Sequence, residues 1–230
     1  MAITVGIFQM SGGGKTTSIV INPDGNYNPS DYKGMSPETT VIINSDTKKM
    51  PFRINDWIEG KNLFTTSDIP KIKALLAGID KGSKVKSVVI DTINGIMLDK
   101  EMNEMKSKSY DKWADLAASI YDIINTCNGM RDDLVIYFMG HVTLYTDVDG
   151  NESKCLITNG RKLEKIKLES KLPIVLFGSV DRGSNGDNKY YFETQSSRST
   201  GKSPLGMFKY FKIPNSLKLV DDTIREYYAI

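Results

Sequence analysis

The stretch that decides the fold is Gln9-Met10-Ser11-Gly12-Gly13-Gly14-Lys15-Thr16-Thr17, which follows directly on the apolar run Ala2–Phe8. Ala2-Ile-Thr-Val-Gly-Ile-Phe8 is rich in β-branched residues and does not alternate, the pattern of a strand covered on both faces. The three glycines let successive backbone N–H groups turn inward around a polyanion. A short helix predicted over Thr16–Val20 would add its positive end to the same attraction. In that arrangement Ser11, Gly12, Gly13, Gly14, Lys15, Thr16 and Thr17 cradle the phosphates. The Lys15 ammonium reaches the terminal ones, and the Thr16 hydroxyl joins a Mg²⁺ shell.

The loop resembles the Walker A pattern Gly-x-x-x-x-Gly-Lys-Ser/Thr, with Gln9 in place of the first glycine. Its opening turn then has to borrow freedom from Gly12 and Gly13. Such a loop needs an acid on the metal side, at the carboxyl end of a neighbouring strand. Val85-Lys-Ser-Val-Val-Ile-Asp91 supplies one, a β-branched run ending in Asp91 as a Walker B strand does. Asp91 is followed by Thr-Ile-Asn rather than x-x-Gly, and no Asn-Lys-x-Asp motif occurs, so ATP is favoured over GTP. Val41-Ile-Ile-Asn-Ser-Asp46 ends in the candidate that orients or deprotonates water, Asp46, with Asp99 and Glu101 as alternatives. His141, the single histidine, closes the run Leu134–Gly140 and is the candidate sensor of the γ-phosphate.

Outward from these motifs, short β-rich runs alternate with helical ones, which predicts an α/β fold with a mainly parallel central sheet flanked by helices. Thr40–Asn44, Lys86–Asp91, Leu134–Gly140 and Ile174–Val180 read as buried strands, and Lys189–Thr194 as a strand near an edge. Asp68–Asp80 and Lys112–Asn128 read as helices, the second carrying an apolar stripe through Trp113, Leu116, Ile120, Ile124 and Cys127. Asp99–Ser107 reads as a shorter helix. Residues 141–158 alternate around Asp149-Gly150 and predict a projecting β-hairpin. Pro23–Pro37 and Asp181–Asn188 read as irregular. Neither is long enough to separate domains, so residues 1–230 are expected to form a single domain.

Composition narrows the function classes. Of 230 residues, 30 are Lys or Arg and 28 are Asp or Glu, a net charge of +2 that argues against coating nucleic acid by bulk electrostatics. Two cysteines and one histidine leave no disulfide framework or all-protein zinc site in prospect. No apolar run approaches the ~20 residues of a membrane span. The N-terminus lacks signal-peptide features, so a cytoplasmic, membrane-free location is expected.

The order of these elements resembles the RecA-like P-loop ATPase core. More closely it is similar to phage-encoded RecA-like or AAA-type nucleotide-binding proteins of single-strand annealing and recombination. The particular stretches are Asp91-Thr-Ile-Asn-Gly-Ile-Met97, Tyr110-Asp-Lys-Trp-Ala-Asp-Leu116, Gly160-Arg-Lys-Leu163, Phe192-Glu-Thr-Gln195 and Lys202-Ser-Pro-Leu-Gly-Met-Phe208. That resemblance implies Mg²⁺-dependent ATP hydrolysis by Lys15, Thr16 and Asp91, with Asp46 as catalytic acid and His141 as sensor. It also implies single-stranded DNA as partner, a homo-oligomer, an accessory single-strand-binding or recombination protein, and the host cytoplasm. DNA contacts fall near Met102–Lys112, with Lys106 and Lys108, on the hairpin, and around Arg161 and Lys162. Ser197–Lys202, a polar loop expected to be flexible, offers Arg198 or Lys202 as a finger reaching a neighbouring subunit's site. Two alternatives are a small-molecule or nucleotide kinase and a non-hydrolysing nucleotide-gated binding module.

Overall fold

A computed structural model of the chain describes residues 1–52, 56–104, 112–146, 150–158, 167–183 and 186–230. An eight-stranded sheet has the spatial order β10-β9-β8-β1-β5-β4-β2-β3. The strands are β1 (Ile3–Phe8), β2 (Thr40–Asn44), β3 (Leu63–Thr65), β4 (Ser87–Asp91), β5 (Val135–Gly140), β8 (Ile174–Arg182), β9 (Asn188–Glu193) and β10 (Lys212–Pro214). From β3 across to β8 every pairing is parallel, and β9 then runs antiparallel to both β8 and β10. The α/β class with a mainly parallel sheet is therefore as the sequence predicts.

Register decides where the chemistry sits. Phe8 pairs with Gly140, Asp91 with Met139, and Asn44 with Asp91, so β1, β2, β4 and β5 end on one edge. Gln9, Ser45, Thr92 and His141 all emerge there. After β1 the chain crosses toward β2, whereas after β8 it leaves the other way toward β9, so a switch point opens between β1 and β8. In open parallel sheets ligands bind at such a crevice.

Alternate residues of the central strands feed two cores. Phe8, Ile43, Val88, Ile90, Ile136, Phe138 and Phe177 pack under α1 (Ile69–Lys81), α2 (Ile93–Glu104) and α3 (Lys112–Asn128). Val5, Ile7, Ile42, Val89, Tyr137 and Leu176 face Ile19, Met35 and α4 (Leu217–Tyr228). α1 starts as its sequence dictates, with the Asp68 carboxylate accepting from the Lys71 amide and Pro70 in the first turn. In α3 the stripe Leu116, Ile120, Ile124 and Cys127 is buried, and burial pushes the Cys127 thiol up to about 12.

The expectations fail at several places for local reasons. Thr16–Val20 is no α-helix but a 3₁₀ turn over Thr16–Ile19, because Met35 takes the Ile19 carbonyl and Pro23 biases Asn22 away from helix. α2 begins at Ile93, six residues before the predicted start. Residues 105–107 of that predicted helix lie outside the described residues. β9 lies near the edge as expected, one strand in, with the short β10 pairing beyond it. Asp181, Arg182 and Asn188, at the ends of the stretch expected to be irregular, belong to β8 and β9. α4 went unpredicted. Its buried stripe is only Leu217, Val220 and Ile224, interrupted by a buried Asp221.

That aspartate anchors the helix. Asp221 accepts from Ser87 Oγ and Tyr137 Oη, each at 2.8 Å, and from Arg225 Nε at 2.7 Å. Burial, and then the Asp221 charge, push the Tyr137 phenol well above its usual value. The hairpin falls where predicted, as β6 (Val142–Thr146) against β7 (Glu152–Leu156), with Asp149 of its turn outside the described residues.

Candidate functional site

The loop after β1 makes its turns on Gly12 (φ +77°) and Gly14 (φ +94°), not on Gly12 and Gly13 as expected. Gly13 is required for a different reason. Gln9 is 2% exposed, and its carboxamide lies beneath the loop, with Nε2 donating to the Gly13 carbonyl. A Cβ on Gly13 would come within 2.5 Å of that side chain, and one on Gly178 of β8 closer still. The residue that breaks the Walker pattern thus braces the loop from below, in space left by two glycines.

Above the brace, the amides of Gly12, Gly14, Lys15, Thr16 and Thr17 donate to no protein acceptor among the described residues. Amides that converge without acceptors suit an anion. With only one 3₁₀ turn behind them, they and Lys15 carry the attraction, rather than a helix dipole.

Lys15 Nζ lies 3.2 Å from Asp91 Oδ1, and Thr16 Oγ1 donates to Asp91 Oδ2 at 2.7 Å. The two side chains are buried, at 6% and 2% exposure. Thr16 and Asp91 offer oxygen only, as a hard cation prefers. No cluster of three or more His, Cys, Asp or Glu occurs among the described residues. That donor set fits Mg²⁺, which is commonly held by one or two carboxylates together with substrate phosphates.

Beyond Asp91 the peptide to Thr92 is cis, and Thr92 Oγ1 donates to Asp46 Oδ1 at 2.6 Å. Lys48 Nζ reaches the other Asp46 oxygen at 2.6 Å. Burial pushes the Asp46 pKa up, but the bonds from Lys48 and Thr92 outweigh it and hold the carboxyl below the usual range. Asp46 is therefore ionised at neutral pH and suited to orienting water, less so to keeping its proton. His141 is half-buried, and burial and then the Lys15 charge hold its imidazole below the ordinary value. A neutral ring can donate to phosphate through one nitrogen.

Lys15, Thr16, Lys48 and His141 line one cleft of about 1190 Å³, which runs on to Tyr190 and Asn215. Asp91 and Asp46 do not line it themselves but lie behind it, bonded to Lys15 and Thr16 and to Lys48 respectively. Asn215 Nδ2 donates to the Gly14 carbonyl at 2.9 Å. Lys48, Thr92, Tyr190 and Asn215 were missed in the sequence. Only Lys48 left a local sign there, two residues after Asp46 in Ser45-Asp-Thr-Lys-Lys49.

The other predicted residues lie apart. Arg198 and Lys202 do not line the cleft. Nor is their segment a free loop, for Arg198 O accepts from Lys154 N, Thr200 N donates to Lys154 O, and Lys202 exchanges both backbone bonds with Val175. Burial lowers the Lys202 ammonium from its usual value. Asp99 accepts from Ser67 Oγ and does not line the cleft, and neither does Glu101. Lys106, Lys108, Arg161 and Lys162 lie outside the described residues. No helix among the described residues is long and apolar enough to cross a membrane.

No protein-family model matches the chain, and no curated protein sequence does. Solved structures do match. One is a KaiC-like protein from the hyperthermophilic archaeon Pyrococcus horikoshii, at 15% identity and a TM-score of 0.41, over 83% of this chain and 76% of that one. At that distance the match carries no argument, and the sheet order and the loop stand on their own geometry.

Proposed function

We propose that the chain is a Mg²⁺-dependent ATPase of the RecA-like class that acts on single-stranded DNA, as a homo-oligomer in the cytoplasm. One observation carries the catalytic part: a loop of uncommitted amides closes on the buried Lys15 and Asp91 and on Thr16, at the carboxyl edge of a parallel sheet.

In this reading the free amides from Gly12 to Thr17 bind the phosphate chain, and Lys15 turns from Asp91 to the β,γ-oxygens. Thr16 and Asp91 would hold Mg²⁺, which when bound would supply positive charge to the phosphates. Asp46 orients the attacking water, and His141 meets the γ-phosphate at the foot of the hairpin. Water oxygen bonds to the γ-phosphorus as the bond to the bridging oxygen breaks. The electron pair leaves with ADP, and the proton passes through Asp46 to inorganic phosphate or solvent.

Support for the DNA partner is the sequence resemblance together with the hairpin's surface. Leu144 and Tyr145 are exposed at 60% and 49%, and Lys167 Nζ lies 4.2 Å above the Tyr145 ring. An aromatic face beside a cation suits a stacked base and its phosphate. The subunit contact that would present Arg198 or Lys202 to a neighbour belongs to the same proposal, as does an accessory recombination protein.

The test is ATP turnover with and without single-stranded DNA, with Lys15→Ala as control. DNA-stimulated turnover that is lost in the variant supports the proposal. Turnover that depends on a phosphate acceptor makes the chain a kinase, and binding without turnover makes it a nucleotide-gated module.

A further inference from the structure

Between Asp46 and Lys48 the backbone does something unusual. Thr47 has φ +51°, a left-handed conformation that a β-branched residue adopts only when its surroundings impose it. The imposition is visible on both sides. Asn44 Nδ2 donates to the Lys48 carbonyl at 2.7 Å, and the Ser45 hydroxyl donates to the Thr92 carbonyl at 2.6 Å. Gly95 of α2 packs so closely that a Cβ there would lie 2.8 Å from Asp46 Oδ1. The turn folds Lys48 back over the carboxylate two residues before it.

The resulting ion pair is lopsided. Asp46 is 13% exposed and fixed by Thr92, whereas the Lys48 side chain is 61% exposed and lines the cleft with Lys15, Thr16 and His141. A pair with one so exposed partner is weak and easily exchanged. Lys15 and Lys48 together balance Asp46 and Asp91 while no phosphate is bound. A nucleotide brings additional negative charge to the cleft that Lys48 and Lys49 line, and of these Lys48 is the one paired with Asp46. No arginine lines that cleft among the described residues.

We infer that Lys48 is an intramolecular finger: it leaves Asp46 for the γ-phosphate when ATP binds, and the same move frees Asp46 to take the attacking water. The inference rests on the nucleotide-binding reading above and adds to it a residue and an order of events. Lys48 neutralises charge on the γ-oxygens as the bond to ADP breaks. Asp46, tied to Lys48 in the empty site, becomes a free acceptor only once a third phosphate is present. ADP, lacking that phosphate, leaves the Asp46–Lys48 pair closed. The site then discriminates ATP from ADP through a residue of its own chain.

The test compares the affinities of MgATP and MgADP for the full chain and for Lys48→Met, Lys48→Arg and Lys15→Ala, together with turnover. Lys48 is exposed, so Lys48→Met is expected to melt within a few degrees of the parent. The inference expects the parent to prefer MgATP to MgADP by roughly tenfold or more. Lys48→Met brings the two affinities together and lowers turnover by about 100-fold or more, the scale of losing one transition-state donor. Lys48→Arg restores the preference. A Lys48→Met protein that keeps the preference overturns the inference, even if turnover falls, because Lys48 would then only hold Asp46. A parent that binds neither nucleotide sinks the nucleotide reading itself. Loss of binding in Lys15→Ala with Lys48→Met unaltered in every respect sinks the finger alone.

Discussion

Gly178→Ala tests the account of the phosphate loop, because nothing in the sequence marks that glycine as part of it. The added Cβ falls on the Gln9 carboxamide, inside any permitted carbon contact, where ordinary contacts are about 3.5–4.0 Å. Gln9 is 2% exposed, with Gly13 above it and Gly178 beside it, so it has no free space to turn into. Relief requires Gln9 to leave, and its departure shifts the loop it braces through the Gly13 carbonyl. Overpacking of this kind costs about 1–3 kcal/mol. For a chain of this size ~2 kcal/mol corresponds to a melting temperature lower by about 4–8 °C. Gln9→Ala alone removes the brace but also a buried Oε1 that has no partner, so its cost is smaller, about 1 kcal/mol. The double variant removes the clash, and its cost should fall short of the sum by about 2 kcal/mol. Thermal melts of the four proteins give the coupling, and MgATP affinity should be weakened in all three variants, since each takes the Gln9 brace from the loop. Additive costs within about 0.5 kcal/mol would refute the idea that Gln9 and Gly178 share one space.

Three further outcomes follow from the geometry. Asn94 accepts from the His141 amide through Oδ1 and donates to the Ile157 carbonyl through Nδ2, and so fastens both ends of the hairpin to the start of α2. Asn94→Ala should speed hydrogen exchange across Val142–Thr146 and Glu152–Leu156 while leaving the amides of β4 protected; unchanged exchange in the hairpin would contradict this. Arg225→Met leaves the buried Asp221 without its cation and should cost about 3 kcal/mol in chemical denaturation, whereas a change below about 1 kcal/mol would contradict the network. Folded His141 binds a proton less readily than the unfolded chain, so stability should fall as pH drops through about 6.5 and level off below the folded value. His141→Asn should remove that part of the pH dependence in melts from pH 8 to 5, and parallel curves for the two proteins would contradict it.

What the sequence makes legible is what local pattern controls. β-branched runs ending in Gln9, Asp91 and His141 identify their strands to within a residue or two, and parallel pairing then brings those ends to one edge. Asp46 is found in the same way. The bonds that bring Lys48 back over it depend on Asn44, Thr92 and Gly95 meeting across two strands and a helix, and no spacing announces that. Tyr190 and Asn215 reach the loop from the far end of the chain, through the β9–β10 pairing. α4 escaped notice because its anchor is a buried aspartate in a position where periodicity expects an apolar residue. The helix after the loop was overpredicted because the competing pull of Met35 on the Ile19 carbonyl is a tertiary contact.

The central claim is that a magnesium nucleotide binds between the amide-lined loop and Asp91, and titration calorimetry of the parent, Lys15→Ala and Asp91→Ala with MgATP tests it most directly. The account predicts one nucleotide per chain in the parent, weakened by about 100-fold or more in each variant, with the Asp91→Ala loss shrinking when magnesium is withheld. No heat of binding in the parent, or equal affinities in all three proteins, would contradict it.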